Sequence, residues 1–357
     1  MLFLSLVKVI ALLINNLPGL QYPSTQVSEK SMSANNSQFL NRKIKLSISL
    51  VTFNHEKYIE KAIESILMQN VDFDYEIIIG EDFSSDKTRD IVIEYQKKYP
   101  QKIRLILPEK NLGCNGQKIF VQTLQACEGE YIALLDGDDY WTCPDKLQKQ
   151  VDFLDNHPEC AICFHDVTLF FEDGSQKPRR YNNFQPKEIS TIENILKSNF
   201  IPTCSTVYKK GLFDEFPDWY YSIICGDWIL HLLNSQQGNI GYINKNMGAY
   251  RVHSQGVFSG ISKTKQLEDV INCYELINDY FQFKYNNIIQ IEQAYRYHDL
   301  ALVYKKNGDL VNAKKYENKC LQFFATDPFM GITAVIKLLK REFVSKVAGY
   351  KLQLNKT

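Results

Sequence analysis

Between residues 46 and 135 the chain alternates near-continuous apolar runs with amphipathic stretches, and this rhythm restricts the fold more than any other feature. Residues 46–53 (LSISLVTF), 75–80 (YEIIIG), 102–107 and 131–135 (YIALL) read as strands. Residues 58–68 place Tyr58, Ile59, Ala62, Ile63, Ile66 and Leu67 at helical spacing; residues 86–99, ended by Pro100, and 116–127 supply two more helices. Apolar strands separated by amphipathic helices predict a mostly parallel sheet covered on both faces. Right-handed crossovers then bring the C-terminal ends of the strands to one edge, where such sheets bind ligands.

The residues following the strands are strongly acidic. Asn54, His55 and Glu56 follow the first strand, Glu81, Asp82, Phe83 and Ser84 the second, and Asp136, Gly137, Asp138, Asp139, Tyr140 and Trp141 the fourth. Clustered carboxylates raise one another's pKa and destabilise the fold unless a cation neutralises them. Mn²⁺ or Mg²⁺ carrying a phosphorylated substrate meets that need, because such ions are held by one or two carboxylates together with phosphates. A DGDD turn on its own is more often a solvated acidic turn, but the apolar strand before it and Tyr140-Trp141 after it argue against a purely polar loop. The turn after the first strand, TFNHEKY, has no glycine, so it is not a dinucleotide fingerprint, and no G-x-x-x-x-G-K-[ST] is present.

Composition bounds the rest. A length of 357 residues suits one catalytic-size domain with an appendage, and 41 basic against 41 acidic residues exclude a chain-wide polyanion binder, so no nucleic-acid partner is expected. Nine scattered cysteines in a chain that needs no staples favour a reducing, cytoplasmic compartment. Residues 1–41 form a leader, apolar to residue 17 with Lys8 as its only charge and then polar. Its apolar part is at the lower limit for spanning a bilayer, so it reads either as a membrane anchor or as dispensable.

Residues 46–259 resemble the inverting family 2 glycosyltransferases in the stretches LVTFNHEKYIEKAIESILMQ, EIIIGEDFSSDKTRDIV, NLGCNGQ, YIALLDGDDYW, CGDW and YRVH, taken in that order. The resemblance implies a GT-A type α/β fold over residues 42–260; beyond it, long helical patterns predict a helical extension over 261–357. It implies transfer of a sugar from a nucleotide-diphosphate donor, a UDP-sugar by the family's habit, to a hydroxyl of a glycan or lipid-linked glycan acceptor. By position it assigns Phe53, Asn54, Glu56, Asp82, Asn111, Gly113, Lys118, Asp136, Asp138 and Arg251 to the nucleotide-sugar, and Asp138, Asp139 and His253 to the metal. Asp227 of Cys225-Gly226-Asp227-Trp228 takes the place of the base that removes the acceptor proton, although a helix N-cap is its other reading. Glu81 and Phe83 depart from the family's usual Asp-Asp-Gly, and Lys118 stands where many relatives have arginine. Ser84 and Ser85 are expected to cap the helix that follows them. Arg251 and His253 are expected after a strand at residues 240–243, and the polar SQGVFSG that follows them is expected to be a mobile loop folding over the donor. The Q-x-x-R-W of processive members is missing, which favours single transfer over polymerisation.

Several constellations take ordinary readings. Cys160 and Cys163 lie in an expected strand, where positions three apart face opposite sides and cannot share an ion. His165 and Asp166 are expected to end that strand near the acceptor, with residues 202–205 a second candidate lining. Residues 300–320 read as a helix hairpin turning at Asn307-Gly308-Asp309. Residues 329–357 carry six Lys or Arg against Glu342 alone, with Ile332, Val335, Ile336, Leu339, Phe343 and Val347 at helical spacing, which suits either a packing helix or one lying on an anionic bilayer at the inner face of the cell membrane. Two rival functions remain open at this level: a nucleotidyltransferase, which would release pyrophosphate, and a non-catalytic helical scaffold, which would bind no nucleotide.

Overall fold

The computed structural model describes residues 43–326. The leader and the basic segment at 329–357 lie outside the described residues.

The expected alternation is present from the first strand. β1 (Leu46–Thr52) buries both faces, with Leu46, Ile48, Leu50 and Thr52 on one and Ser47 and Ser49 on the other. β2 (Tyr75–Glu81) and β3 (Ile103–Ile106) extend the sheet in parallel on one side of β1, and β4 (Tyr131–Asp136) pairs in parallel on the other. This reversal of direction beside β1 opens a crevice at the C-terminal ends of β1 and β4, where Val51 lies opposite Asp136. The connecting helices are α1 (Ile59–Leu67), α2 (Thr88–Lys98) and α3 (Gln117–Ala126). α1 buries Ile59, Ala62, Ile63 and Ile66 as one stripe. α3 crosses close to β2 because residue 80 is glycine: a Cβ there would meet Thr123 Oγ1 at 2.1 Å.

The second half makes the sheet mixed. After β5 (Tyr140–Trp141) and α4 (Lys146–Asn156) come β6 (Cys160–Phe171), β7 (Arg179–Arg180), β8 (Ile189–Ser190), α5 (Ile192–Lys197), β9 (Val207–Lys209), α6 (Gly226–Ser235) and β10 (Asn239–Val252). The order is β3-β2-β1-β4-β9-β6-β10-β5, with β9 antiparallel between β4 and β6 and β6 parallel to β10. α1, α2 and α4 cover one face, whose core holds Ile63, Val92 and Val151; α3, α5 and α6 cover the other, with Leu124, Ile195 and Trp228. Three helices follow: α7 (Lys263–Tyr280), α8 (Asn286–Lys306) and α9 (Leu310–Thr326). The hairpin expected around Asn307 is the α8–α9 turn, which Gly308 closes at φ +80°.

Several local expectations are corrected. β6 does not end at His165-Asp166; it continues to Phe171, with His165 fully buried and its Nδ1 2.8 Å from the Asp166 carbonyl, and with the Asp166 carboxylate paired to Arg180. Both are structural. A register shift against β10 near the start of β6 puts Cys160 and Cys163 into the same apolar cluster, not on opposite faces, and both are core thiols. Arg251 belongs to β10 itself, which resumes after the exposed Asn244, Lys245 and Asn246; only His253 lies beyond it. Ser84 and Ser85 do not cap α2. Asp86 accepts the Thr88 N–H instead, and the serines bond the turn after β1.

Candidate active site

An open cleft of about 460 Å³ lies at the C-terminal ends of β1 and β4. Phe53, Asp82, Asn111, Gly113, Asp136, Asp138, Asp139, Asp227 and Arg251 line it, so most of the residues singled out in the sequence converge. Lys118 is exposed on α3 and does not line the cleft, whereas its neighbour Gln117 does. Asn54 and Glu56 are also absent from the lining: Asn54 Oδ1 accepts the Ser85 N–H at 2.8 Å and Glu56 Oε2 the Lys87 N–H at 3.1 Å. Together they tie the turn after β1 to the turn after β2.

On one side, Phe53 is 43% exposed and presents a flat apolar face. Beside it Asp82 is buried; its Oδ1 accepts the Leu112 N–H at 2.8 Å, and Asn111 Nδ2 donates to its carbonyl at 2.8 Å. Burial raises the Asp82 carboxyl above its usual value, against the pull of the Leu112 bond. Glu81 points away, buried in an ion pair with Arg89, and Phe83 takes a positive φ of 61° that the glycine usual in the resembled family would adopt without strain.

At the centre, three aspartates in one turn differ in environment. Burial, then the charges of Asp138 and Asp227, pushes the Asp136 carboxyl up to about 8. Burial also acts upward on Asp138, but the 2.8 Å bond with His253 Nε2 and the nearby His55 and His253 outweigh it and hold this carboxyl below its usual value. Asp139 is buried facing β10, where its Oδ1 accepts the Arg251 N–H at 2.8 Å; burial first, then Asp138 and Asp136, raises its carboxyl strongly. Asp138 and His253 are grouped with His55, not Asp139: the three ligand atoms lie within 4.8 Å of one another. One carboxylate and imidazoles are a donor set that suits a divalent first-row ion, so the residues fit the metal that the fold family implies. Arg251 donates through Nε to the Asp138 carbonyl at 2.9 Å, and its guanidinium lies over Tyr58 and Phe170, 4.3 and 4.8 Å from the ring centroids.

On the far side, Asp227 stands in the first turn of α6, one residue after the helix start, and is not its N-cap. Its Oδ1 accepts the Trp228 N–H at 2.8 Å, and its Oδ2 accepts from Asn199 Nδ2 and Thr203 Oγ1, both at 3.1 Å. Thr203 falls in the 202–205 lining anticipated from sequence, but Asn199 and Asp269, which holds the backbone before α6, carried no local signal. His55 was visible in its turn without a role. Gln255, Gly256, Val257, Phe258 and Ser259 complete the lining after β10.

Similarity to known proteins identifies the family and the fold. Residues 47–216 match the family model described as Glycosyl transferase family 2. The chain carries a glycosyl transferase family 2 domain. An uncharacterized protein of Mycobacterium tuberculosis is 38% identical over 214 residues, 60% of this chain and 60% of that protein. The putative teichuronic acid biosynthesis glycosyltransferase TuaG of Bacillus subtilis is 33% identical over 162 residues, 45% of this chain and 60% of that protein. The chain thus spans 60% of the length of these curated relatives. Among solved structures, S. aureus TarS 1-349 in complex with UDP-GlcNAc aligns at TM-score 0.52 and 19% identity over 78% of this chain and 92% of that one. The mannosyltransferase PcManGT from Pyrobaculum calidifontis, in complex with GDP-Man and Mn²⁺, aligns at 0.51 and 14% over 84% and 88%. These likenesses establish the GT-A fold of this glycosyltransferase domain. No helix of the described residues is long and apolar enough to cross a membrane.

Proposed function

We propose that this glycosyltransferase domain transfers a sugar, with inversion, from a nucleotide-diphosphate sugar, by preference a UDP-sugar, to a hydroxyl of a surface glycan or lipid-linked glycan. The observation that carries the reading is that Asp227 shares one cleft with Asp136 and Asp138 and is held there by three hydrogen bonds. Phe53 stacks on the base, Asp82 and Asn111 flank it, and Asp136 faces the ribose. Asp138 and His253 would hold Mn²⁺ or Mg²⁺, which when bound supplies Lewis-acid neutralisation of the diphosphate. Arg251, whose guanidinium is spread over two aromatic faces, adds a fixed positive charge on the same side.

Asp227 accepts the proton of the acceptor hydroxyl as that oxygen bonds the anomeric carbon and the nucleoside diphosphate leaves from the opposite face. The donors Asn199 and Thr203 orient its carboxylate without neutralising it, so lone pairs remain for the incoming proton. The teichuronic and teichoic acid biosynthesis names of TuaG and GgaB in Bacillus subtilis support a surface-polymer acceptor, and its lipid-linked form would bring the enzyme to the inner face of the cell membrane.

The test is incubation with a panel of nucleotide sugars and Mn²⁺, reading nucleoside diphosphate release. Asp227→Asn should lower turnover by about 10²–10⁴-fold while UDP still binds, and Asp138→Ala should abolish it. Normal turnover in Asp227→Asn removes that residue from the base role; release of pyrophosphate in place of nucleoside diphosphate makes the protein a nucleotidyltransferase.

A further inference from the structure

His55 is the residue of the cleft that the family resemblance leaves without a task, and its surroundings are specific. It sits in the turn after β1, with its backbone N–H bonded to Thr88 Oγ1 at 2.8 Å and its carbonyl accepting the N–H groups of Tyr58 and Ile59 at 2.8 and 2.9 Å. The ring is therefore anchored to the start of α1. Its Nδ1 lies 3.2 Å from Thr52 Oγ1, and its Nε2 faces Asp138 Oδ2 at 3.8 Å, beyond hydrogen-bond reach. A proton on Nδ1 donated to Thr52 leaves the Nε2 lone pair directed at the carboxylate that His253 Nε2 also contacts. The two rings meet edge to face with centroids 6.2 Å apart.

Gly137 supplies an independent observation. A Cβ at this middle position of Asp136-Gly137-Asp138 would fall 2.5 Å from Thr52 Oγ1 and 2.9 Å from His55 Nδ1. The turn has no side chain where the Thr52–His55 pair is brought against Asp138. His55 Nε2 and His253 Nε2 lie 3.8 and 2.8 Å from Asp138 Oδ2, and all three ligand atoms lie within 4.8 Å of one another; ligands roughly 2.1 Å from one ion stand about 3 Å apart when adjacent and at most about 4.2 Å apart, so side-chain shifts of under about 1 Å would seat the ion.

We infer that His55 is a third protein ligand, completing with Asp138 and His253 a two-histidine, one-carboxylate site that takes a first-row transition ion in preference to Mg²⁺ before any nucleotide arrives. The inference rests on the reading of Asp138 and His253 as metal ligands and adds to it a residue and a selectivity. Imidazole nitrogens favour Mn²⁺, Co²⁺ or Zn²⁺, whereas Mg²⁺ prefers oxygen and retains its waters. Three preset ligands also remove the need for donor phosphates to recruit the ion.

The experiment is titration of Mn²⁺ alone into the full chain without nucleotide, followed by the EPR signal of free Mn²⁺, with pulsed EPR of the bound ion to count coupled imidazole nitrogens. Wild type should bind one Mn²⁺ with two imidazoles coupled, and a tenfold excess of Mg²⁺ should displace little of it. His55→Gln, which keeps a polar side chain of similar reach, should weaken binding about tenfold or more and leave one coupled imidazole. Because the nitrogen count is read only on protein that holds the ion, a poorly folded fraction does not mimic the result. Two coupled imidazoles in His55→Gln, unchanged affinity in it, equal competition by Mg²⁺, or no binding by wild type without nucleotide each overturn the inference. If Asp138→Asn binds Mn²⁺ as wild type does, the underlying metal reading fails instead.

Discussion

Lys146 shows how one side chain can burden a fold without serving its chemistry. It is fully buried at the start of α4, its Nζ has no hydrogen-bond partner, and it faces the Trp141 ring 3.8 Å from the centroid. Burial lowers its pKa from the usual 10.5 to about 7, against smaller upward contributions from Cys204 and Cys163. Between those two values the unfolded chain holds the proton that the folded chain has released, so this group makes stability rise as pH climbs from about 7 to 10.5. Below pH 7 both states are protonated and the full desolvation penalty remains. Lys146→Met should therefore stabilise the protein by a few kcal/mol, on the order of 1.4 kcal/mol per unit of pKa shift, at pH 7 and below, with the gain shrinking toward zero near pH 10. Denaturant melts of both proteins at pH 6.5 and 9.5 check this, and a gain that does not change with pH would count against it. Nothing in the local sequence marks Lys146 as buried, because its environment is assembled from β5, β6 and the turn at Cys204. The partner of Glu81 was hidden for the same reason: nothing in its turn shows that Arg89 folds back onto it. Residue types in a turn report the chemistry available at an edge; which of them face the cleft depends on partners from other strands.

At the scale of elements, the first four strands and three helices were legible because each keeps one period throughout, and the structure shifts their ends by only a residue or two. β6 and β10 were cut short in the sequence reading because polar residues interrupt them: His165 and Asp166 are satisfied by a backbone carbonyl and by Arg180, and Asn244 to Asn246 sit at register shifts. What could not be read at all is how α6 is aimed. The carboxylate of Asp269, on α7, accepts the Ile224 N–H at 3.2 Å through both oxygens and the Cys225 N–H at 3.3 Å. These are the two residues immediately before the helix that carries Asp227, so a helix more than forty residues later holds the candidate base in line. Asp269→Ala leaves those N–H groups unpaired at about 1–3 kcal/mol and should lower turnover about tenfold or more, in keeping with the steep dependence of rate on alignment. UDP affinity should stay within about twofold, because Phe53, Asp82 and Asn111 stand on other elements. Steady-state kinetics paired with UDP calorimetry separates the two effects, and equal losses in both would show that Asp269 supports the whole cleft rather than the base alone.

At the scale of the molecule, the family match ends at residue 216, yet the core does not. Tyr274 and Ile277 of α7 and Ile289 of α8 are buried in the same apolar cluster as Leu196, Trp228 and Leu232. The Tyr274 ring meets Trp228 edge to face at 5.0 Å, and its hydroxyl donates to the Leu196 carbonyl at 3.0 Å. Burying each such side chain is worth about 1.5–3 kcal/mol, so Cys273, Tyr274, Ile277 and Ile289 together contribute an amount comparable with the 5–15 kcal/mol by which a domain is stable at all. α9 differs: its buried Cys320 joins a separate cluster with Leu267, Ile271, Ala294, Tyr297 and Leu300, away from the sheet. Two truncations should therefore part company. A chain ending at Ser262 uncovers the face of α6 that carries Trp228, and should fail to melt cooperatively or should aggregate, although every residue assigned to the cleft is retained. A chain ending at Asn307 loses the outer helix of the hairpin and the C-terminal residues beyond it, and should keep a cooperative transition at a lower midpoint together with nucleotide binding. Thermal melts by circular dichroism, read beside UDP calorimetry, decide the matter. A stable, nucleotide-binding product from the shorter chain would mean that α7 and α8 rest on a core already complete without them, and that the hold of Asp269 on α6 is dispensable.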